Sequence, residues 1–257
     1  MKFRTLVAVA ALAASLCACQ SKDPFVVKTT SGLVKGIEEE GTMAFKGIPY
    51  AKIERFMPPQ PVEKWDTIRI CDKFGPQVMQ NVRGEMPEDR MSEKNSSVLN
   101  VWTTDTKAKK PVMPGIHGGG FDSGSAAGSP GMGLAKKDVV LGSLNHRLNI
   151  LGFLDLTQFG EKYRYSHNAG MLDIIYALQW IQDNIRNFGG DPDNVTIFGE
   201  SGGGGKVATL MCMPEAQGLY HKAIIMSGTI LNVNNKEMTE KLGKAVLDEL
   251  GIDKNNL

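Results

Sequence analysis

The stretch VTIFGESGGGGKV, residues 195–207, restricts the fold more than any other part of the chain. Val195, Thr196, Ile197 and Phe198 are β-branched or aromatic and have strand character. The run ends in glycines, and KVATLMCM, residues 206–213, follows without a helix breaker. Strand, abrupt turn and helix in so few residues leave little choice of path. Two kinds of chemistry use such a junction. A phosphate-cradling loop needs Gly, four residues, Gly, Lys, then Ser or Thr. Counting back from Lys206 puts Glu200 where the first glycine should stand, and Val207 lacks the hydroxyl. That pattern fails at two fixed positions. The pattern G-x-S-x-G is met by Gly199, Glu200, Ser201, Gly202 and Gly203. Here a serine sits on a sharp turn with its hydroxyl exposed. Small neighbours keep strand and helix from clashing around its strained backbone. A glycine-rich turn without chemistry is the alternative that this motif alone leaves open.

Composition narrows the class without naming a partner. The 257 residues are 42% apolar and 22% charged, with a formal net charge of +1. That is an ordinary globular balance, with no ground for a nucleic-acid or strongly acidic partner. No cofactor is expected, and no pair of His, Cys, Asp or Glu has metal-ligand spacing.

The N-terminus stands apart. Lys2 and Arg4 precede LVAVAALAASL, an apolar run short for a bilayer span. It reads as a secretory signal. Leu16-Cys17-Ala18-Cys19 resembles the bacterial lipobox, with Cys19 in the frame for lipid attachment. The expected division is a lipoprotein signal over 1–18, a polar tether over 19–24 and one domain over 25–257. The protein would then be a secreted lipoprotein of the cell envelope, anchored in a bacterial membrane through Cys19. Cys71 and Cys212 are read as unpaired, mostly buried thiols.

Residues 25–39 and 42–51 read as short strands of a small antiparallel sheet, and the charged, aperiodic stretch 83–97 as an exposed loop. Further strands are expected over 98–102, 111–116, 138–145, 195–198 and 222–226. Met171, Ile174, Ile175, Leu178, Ile181, Ile185 and Phe188 recur at helical spacing and predict a helix over 167–190, ended by Gly189-Gly190. A second helix follows Ser201, and a third covers 236–250. Strands separated by helices predict an α/β architecture, a mostly parallel sheet covered on both faces.

Attack of a serine on a carbonyl needs donors for the oxyanion that forms. One is the backbone N–H after the serine, here that of Gly202, and others come from a glycine loop after an earlier strand. HGGGF, residues 117–121, stands in that place. Bare backbone is needed there because it must approach the substrate oxygen closely. Asp122 and Ser123 follow, as pocket lining or as a turn.

With AFKGIPYA, LNVWTT, IHGGGFDSGS, NHRLNILGFL, NAGMLDIIYALQWIQDNIRNFGGDPDNVTIFGESGGGGKV and GLYHKAIIMSG in this order, the chain resembles the N-terminal half of the type-B carboxylesterases. Their lineage includes cholinesterases and neuroligins. The likeness covers residues 29–228. It implies an α/β-hydrolase fold, truncated before the C-terminal strands, and hydrolysis of small-molecule esters through an acyl-serine. It implies Ser201 as nucleophile and Gly119, Gly120 and Gly202 as the oxyanion hole. Glu200 matches an acidic residue that lies near the site but outside the triad. Three features depart from the family pattern. Pro114-Gly115 interrupt the strand before the glycine loop, where proline removes a ladder donor and glycine weakens pairing. Lys52-Ile53-Glu54 shortens a link, and His146 replaces a common tyrosine.

The base is harder to find. In this fold the order is Ser, then Asp or Glu, then His. Only His221 follows Ser201, with Glu215 between them. His221 begins a strand, whereas catalytic groups lie beyond the carboxyl ends of strands, roughly 15–20 Å away. His117 is read as held within its loop. His146 is read as a packing residue, with a stand-in base as the alternative, and His167 as exposed. The triad acid and histidine are therefore expected outside this chain, in a missing C-terminal half. The fragment alone would be weakly active or inactive. A non-catalytic binding or adhesion member, a decayed gene product and a two-chain enzyme are the competing readings.

Overall fold

The computed structural model describes residues 23–82, 90–128, 131–228, 233–253 and 256–257. The expected signal segment and Cys19 lie outside these residues. In chain order the strands are β1 (Val26–Lys28), β2 (Leu33–Lys35), β3 (Ile37–Glu39), β4 (Thr42–Pro49), β5 (Arg69–Ile70), β6 (Val98–Thr103), β7 (Lys110–Ile116), β8 (Val140–Leu144), β9 (Gly190–Glu200) and β10 (Lys222–Met226). The α-helices are α1 (Met132–Ala135), α2 (Asn149–Phe153), α3 (Ala169–Asn184), α4 (Gly202–Cys212) and α5 (Lys236–Glu249).

β1 and β2 pair antiparallel and β5 joins β2 in parallel, so the small sheet near the N-terminus is mixed rather than antiparallel and takes in a strand beyond the expected stretch. β3 and β4 instead belong to a seven-stranded sheet of order β10-β9-β7-β8-β6-β4-β3. Their hairpin turns through Glu40 (φ 48°) and Gly41 (φ 79°), the paired positive φ values that a two-residue turn needs. β10, β9, β7 and β8 run parallel. β8, β6, β4 and β3 pair antiparallel. The mostly parallel sheet read from the sequence thus describes the half carrying the serine, and the described sheet as a whole is mixed. Connection length accounts for β6. Only residues 104–109 join it to β7, too few for a parallel crossover, so β6 runs opposite to β7 and to β8, which lies between them.

Pro114 and Gly115 do not break β7. Pro114 pairs with Gly142 and Gly115 with both Ser143 and Phe198. The glycine is a packing requirement, because a Cβ there would meet the Phe198 ring at 2.8 Å.

Alternation along the strands sorts side chains onto two faces. Val101, Val112, Val140 and Ile197 face the main core, closed by Met171, Ile174, Leu178 and Ile181 of α3 and by Val207 and Leu210 of α4. Trp102 and Leu141 point to the other face, where Ala135 of α1 and the partly buried Met113 and Phe198 complete a smaller cluster. α3 stops at Asn184, earlier than expected. A 3-10 turn over Ile185–Phe188 follows, and Gly189 at φ 81° supplies the left-handed cap.

Arg147 and Asp173 form an ion pair inside the core. Arg147 Nε and Nη2 donate to the two carboxylate oxygens at 2.8 and 2.7 Å, and the Arg147 backbone N–H donates at 2.9 Å. The remaining guanidinium donors reach the Glu54 and Ala169 carbonyls, so the buried charges are hydrogen-bonded as well as paired.

Two side-chain expectations fail. Cys212 is free but exposed, at the last residue of α4, whereas Cys71 is buried and its thiol is pushed up to about 11 by that burial. His167 is half-buried rather than exposed, with Nδ1 enclosed.

Candidate active site

β9 enters the site and α4 leaves it, with Ser201 between them at φ 54° and ψ −124°. A non-glycine residue rarely holds such a backbone, and here the surroundings enforce it. The Ser201 N–H donates to Met226 O at 2.8 Å, and its carbonyl accepts from Gly205 N–H at 3.0 Å. Glycines let strand and helix meet this closely. A Cβ on Gly203 would lie 2.1 Å from Ile116 O, and one on Gly199 would lie 2.4 Å from the Gly203 backbone. The serine side chain is exposed.

The glycine loop lies directly against this turn. A Cβ on Gly118 would sit 3.6 Å from Ser201 Cβ and 2.9 Å from Glu200 O, and one on Gly202 would sit 2.5 Å from Gly120 N. Four residues singled out from the sequence, Ser201, Gly119, Gly120 and Gly202, thus share one corner at the carboxyl end of β7 and β9. Gly119 (φ 85°) and Gly120 (φ 63°) hold left-handed backbone. Asp122 and Ser123 act as a turn, both donating backbone N–H to Gly119 O at 3.3 and 3.1 Å. The Glu200 side chain is exposed beside the serine. A cleft of about 490 Å³ opens alongside, lined in part by Gly118, Gly119, Leu141, Phe198, Glu200 and Met226.

The four histidines are all described, and none bonds to Ser201. His221 sits at the far end of β10, where Nδ1 accepts the Val195 N–H at 3.1 Å. His117 and His146 stack face to face, with centroids 4.6 Å apart and planes 8° from parallel. Each Nδ1 donates to a neighbouring carbonyl, Gly118 O and Arg147 O. That fixes the neutral tautomer, and each Nε2 is buried without a partner among the described residues. Burial first, then the charge of Lys206, pulls His117 down to about 4. His146 is driven well below its ordinary range by burial first, then by His117 and Lys206. Neither ring hydrogen-bonds Ser201 in this geometry, and His146 is packed against His117.

Beneath this pair lies a residue that sequence reading did not single out for the site. Lys206 is fully buried, and its Nζ donates to His117 O at 3.0 Å beneath the Phe121 ring, 5.4 Å from the centroid. Burial draws its ammonium down to about 8, against the pull of Asp122. The signal was in the helical period. Gly203, Lys206, Val207 and Leu210 share one face of α4, and all four are buried. No group of three or more His, Cys, Asp or Glu suited to a metal occurs among the described residues.

A family model described as the carboxylesterase family matches residues 23–256. The para-nitrobenzyl esterase of Bacillus subtilis (strain 168) is 41% identical over 243 residues, covering 90% of this chain and 49% of the relative. Liver carboxylesterase 1 of Oryctolagus cuniculus is 37% identical, covering 89% and 46%. Among solved structures, the Geobacillus stearothermophilus carboxylesterase EST55 superposes with a TM-score of 0.82 at 41% identity, over 89% of this chain and 49% of that one. The chain spans about half the length of the curated relatives it matches. Strand–turn–helix geometry, the glycine loop and these likenesses agree on an α/β-hydrolase fold, and the chain belongs to the carboxylesterase family.

Proposed function

We propose that the protein is a serine carboxylester hydrolase with Ser201 as its nucleophile. The observation that carries this reading is the exposed Ser201 hydroxyl on a strained turn, with the bare backbone of Gly118–Gly120 laid against it. Ser201 Oγ bonds to the ester carbonyl carbon and its proton passes to a base. The carbonyl π electrons move to oxygen, and the N–H groups of Gly119, Gly120 and Gly202 receive that oxyanion. Collapse expels the alcohol, which takes the proton, and water then releases the acid by the same steps in reverse. Glu200 lies beside the serine, at the mouth of the cleft.

The base is not among the four histidines of these residues. In this reading the triad acid and histidine come from a segment outside the 257 residues, and these residues alone have little or no activity. Lipid attachment at Cys19 would hold the enzyme on a membrane of the bacterial cell envelope.

The test uses the protein as its gene encodes it. A fluorophosphonate probe should label it, and Ser201→Ala should abolish both labelling and turnover of a p-nitrophenyl ester. An unlabelled protein whose ester turnover ignores Ser201→Ala would sink the esterase reading and favour a non-catalytic binding member. Mass spectrometry of the mature N-terminus reports the anchor: a diacylglyceryl adduct on Cys19 is expected, and an unmodified N-terminus elsewhere overturns it.

A further inference from the structure

We infer that Lys206 is a positioning residue for the glycine loop, its buried ammonium gripping the His117 carbonyl so that the loop presents its N–H groups beside Ser201. The inference rests on the reading of Ser201 as nucleophile.

The argument starts from the peptide plane. In a trans peptide the carbonyl and the following N–H point in opposite directions. Whatever holds one residue's carbonyl therefore aims the next residue's N–H. Three successive carbonyls are held here. His117 O accepts from Lys206 Nζ at 3.0 Å, and Gly118 O accepts from His117 Nδ1 at 2.9 Å. Gly119 O accepts from the Asp122 and Ser123 N–H groups at 3.3 and 3.1 Å. The second and third anchors aim the N–H groups of Gly119 and Gly120, but both anchors belong to the loop and move with it. Of these three anchors only Lys206 comes from outside the loop, and it comes from α4; Asn149 and Gln80 hold the loop farther along, at Phe121 O and Gly124. One helix thus carries Ser201 at its start, Gly202 as its first residue and the group that seats the loop.

Two further facts favour this role over simple packing. Gly119 and Gly120 are conformationally free, so loop geometry needs an external restraint. A fully buried ammonium is also an expensive way to fill space. Leucine or methionine would fill it without desolvating a charge, and neither could donate to His117 O. The Phe121 ring over Nζ supplies a second favourable contact.

The experiment compares wild type, Ser201→Ala and Lys206→Met in the protein as its gene encodes it. Methionine keeps the stem and removes the donor. Two quantities are read: steady-state kinetics on a p-nitrophenyl ester, and affinity for a trifluoromethyl ketone, whose serine adduct places an oxyanion against the loop. Lys206→Met should lower kcat by about 10- to 100-fold with KM within about threefold of wild type. Affinity for the ketone should fall in parallel with kcat/KM, a correlation that a merely structural lysine would not give. If Lys206→Met does not accumulate as folded protein, Lys206→Leu, which also lacks a donor, carries the same two measurements. Retained turnover in Ser201→Ala overturns the reading of the site itself. Turnover abolished there, with kcat and ketone affinity unchanged in the Lys206 variant, overturns only the role given to Lys206.

Discussion

At residue scale the stacked imidazoles turn proton affinity into stability. His117 is held down to about 4 by burial and by the nearby ammonium, against an ordinary value of 6.5. The folded state refuses a proton that the unfolded chain accepts. The neutral ring's contribution is therefore complete above pH 6.5 and is lost as pH falls through 4. The full loss is about 3 kcal/mol. His117→Gln removes this one titration and leaves His146 in both proteins, so wild type should lose stability relative to this variant by up to about that amount between pH 7 and pH 4. Urea unfolding of both proteins at the two pH values measures it. A stability difference that stays constant with pH would mean that the ring is solvated rather than enclosed. Sequence alone could not have supplied this pair. His117 and His146 lie on different loops, and their stacking follows from β7 and β8 being neighbours in the sheet.

At the scale of elements, the site depends on how closely α4 approaches β7 and β9. Gly203 is the contact point, since any Cβ there would lie 2.1 Å from Ile116 O, a backbone atom that cannot rotate away. Gly203→Ala should therefore cost about 2–3 kcal/mol through overpacking, although alanine favours helices elsewhere. A thermal melt of the variant checks it, and a midpoint equal to wild type would show that helix and strand can part freely. Elements were legible where a local signal existed. The strand, serine and helix of residues 195–212 followed from turn chemistry, although β9 begins earlier, at Gly190, and the face of α3 followed from its period. Strand direction beyond β8 was not legible, because pairing between β4, β6 and β8 is decided by connection length and tertiary neighbours. Pro114-Gly115 were misleading for a similar reason. Read alone they weaken a strand, but Gly115 makes room for Phe198 and the strand continues. Lys206 went unrecognised because a lysine in a helix is ordinarily solvated, and only the shared face with Gly203 and Leu210 marked it as buried.

At the scale of the whole molecule, the two faces of the large sheet are treated unequally. α3 and α4 close one face into a continuous core. The other face has a small cluster around Trp102 and, beside it, the open cleft that reaches Phe198 and Met226. β10 is the edge strand, and Ile224 and Met226 are 41% and 40% exposed on it. Among the described residues nothing pairs with its outer side. An apolar edge of this kind templates further strands or attracts another apolar surface. The 257 residues expressed alone should therefore self-associate with rising concentration and bind the dye ANS at neutral pH. A charge on the edge opposes both processes, so Ile224→Lys should shift the chain toward monomer and reduce dye binding without lowering the melting temperature by more than a few degrees. Light scattering across a concentration series, with dye fluorescence on the same samples, separates the outcomes. If the unmodified chain stays monomeric and dark, the exposed β10 edge does not drive association. If it associates and Ile224→Lys changes nothing, association runs through another surface. If the charge restores the monomer, the open edge of the sheet is the surface that any further part of the protein must cover.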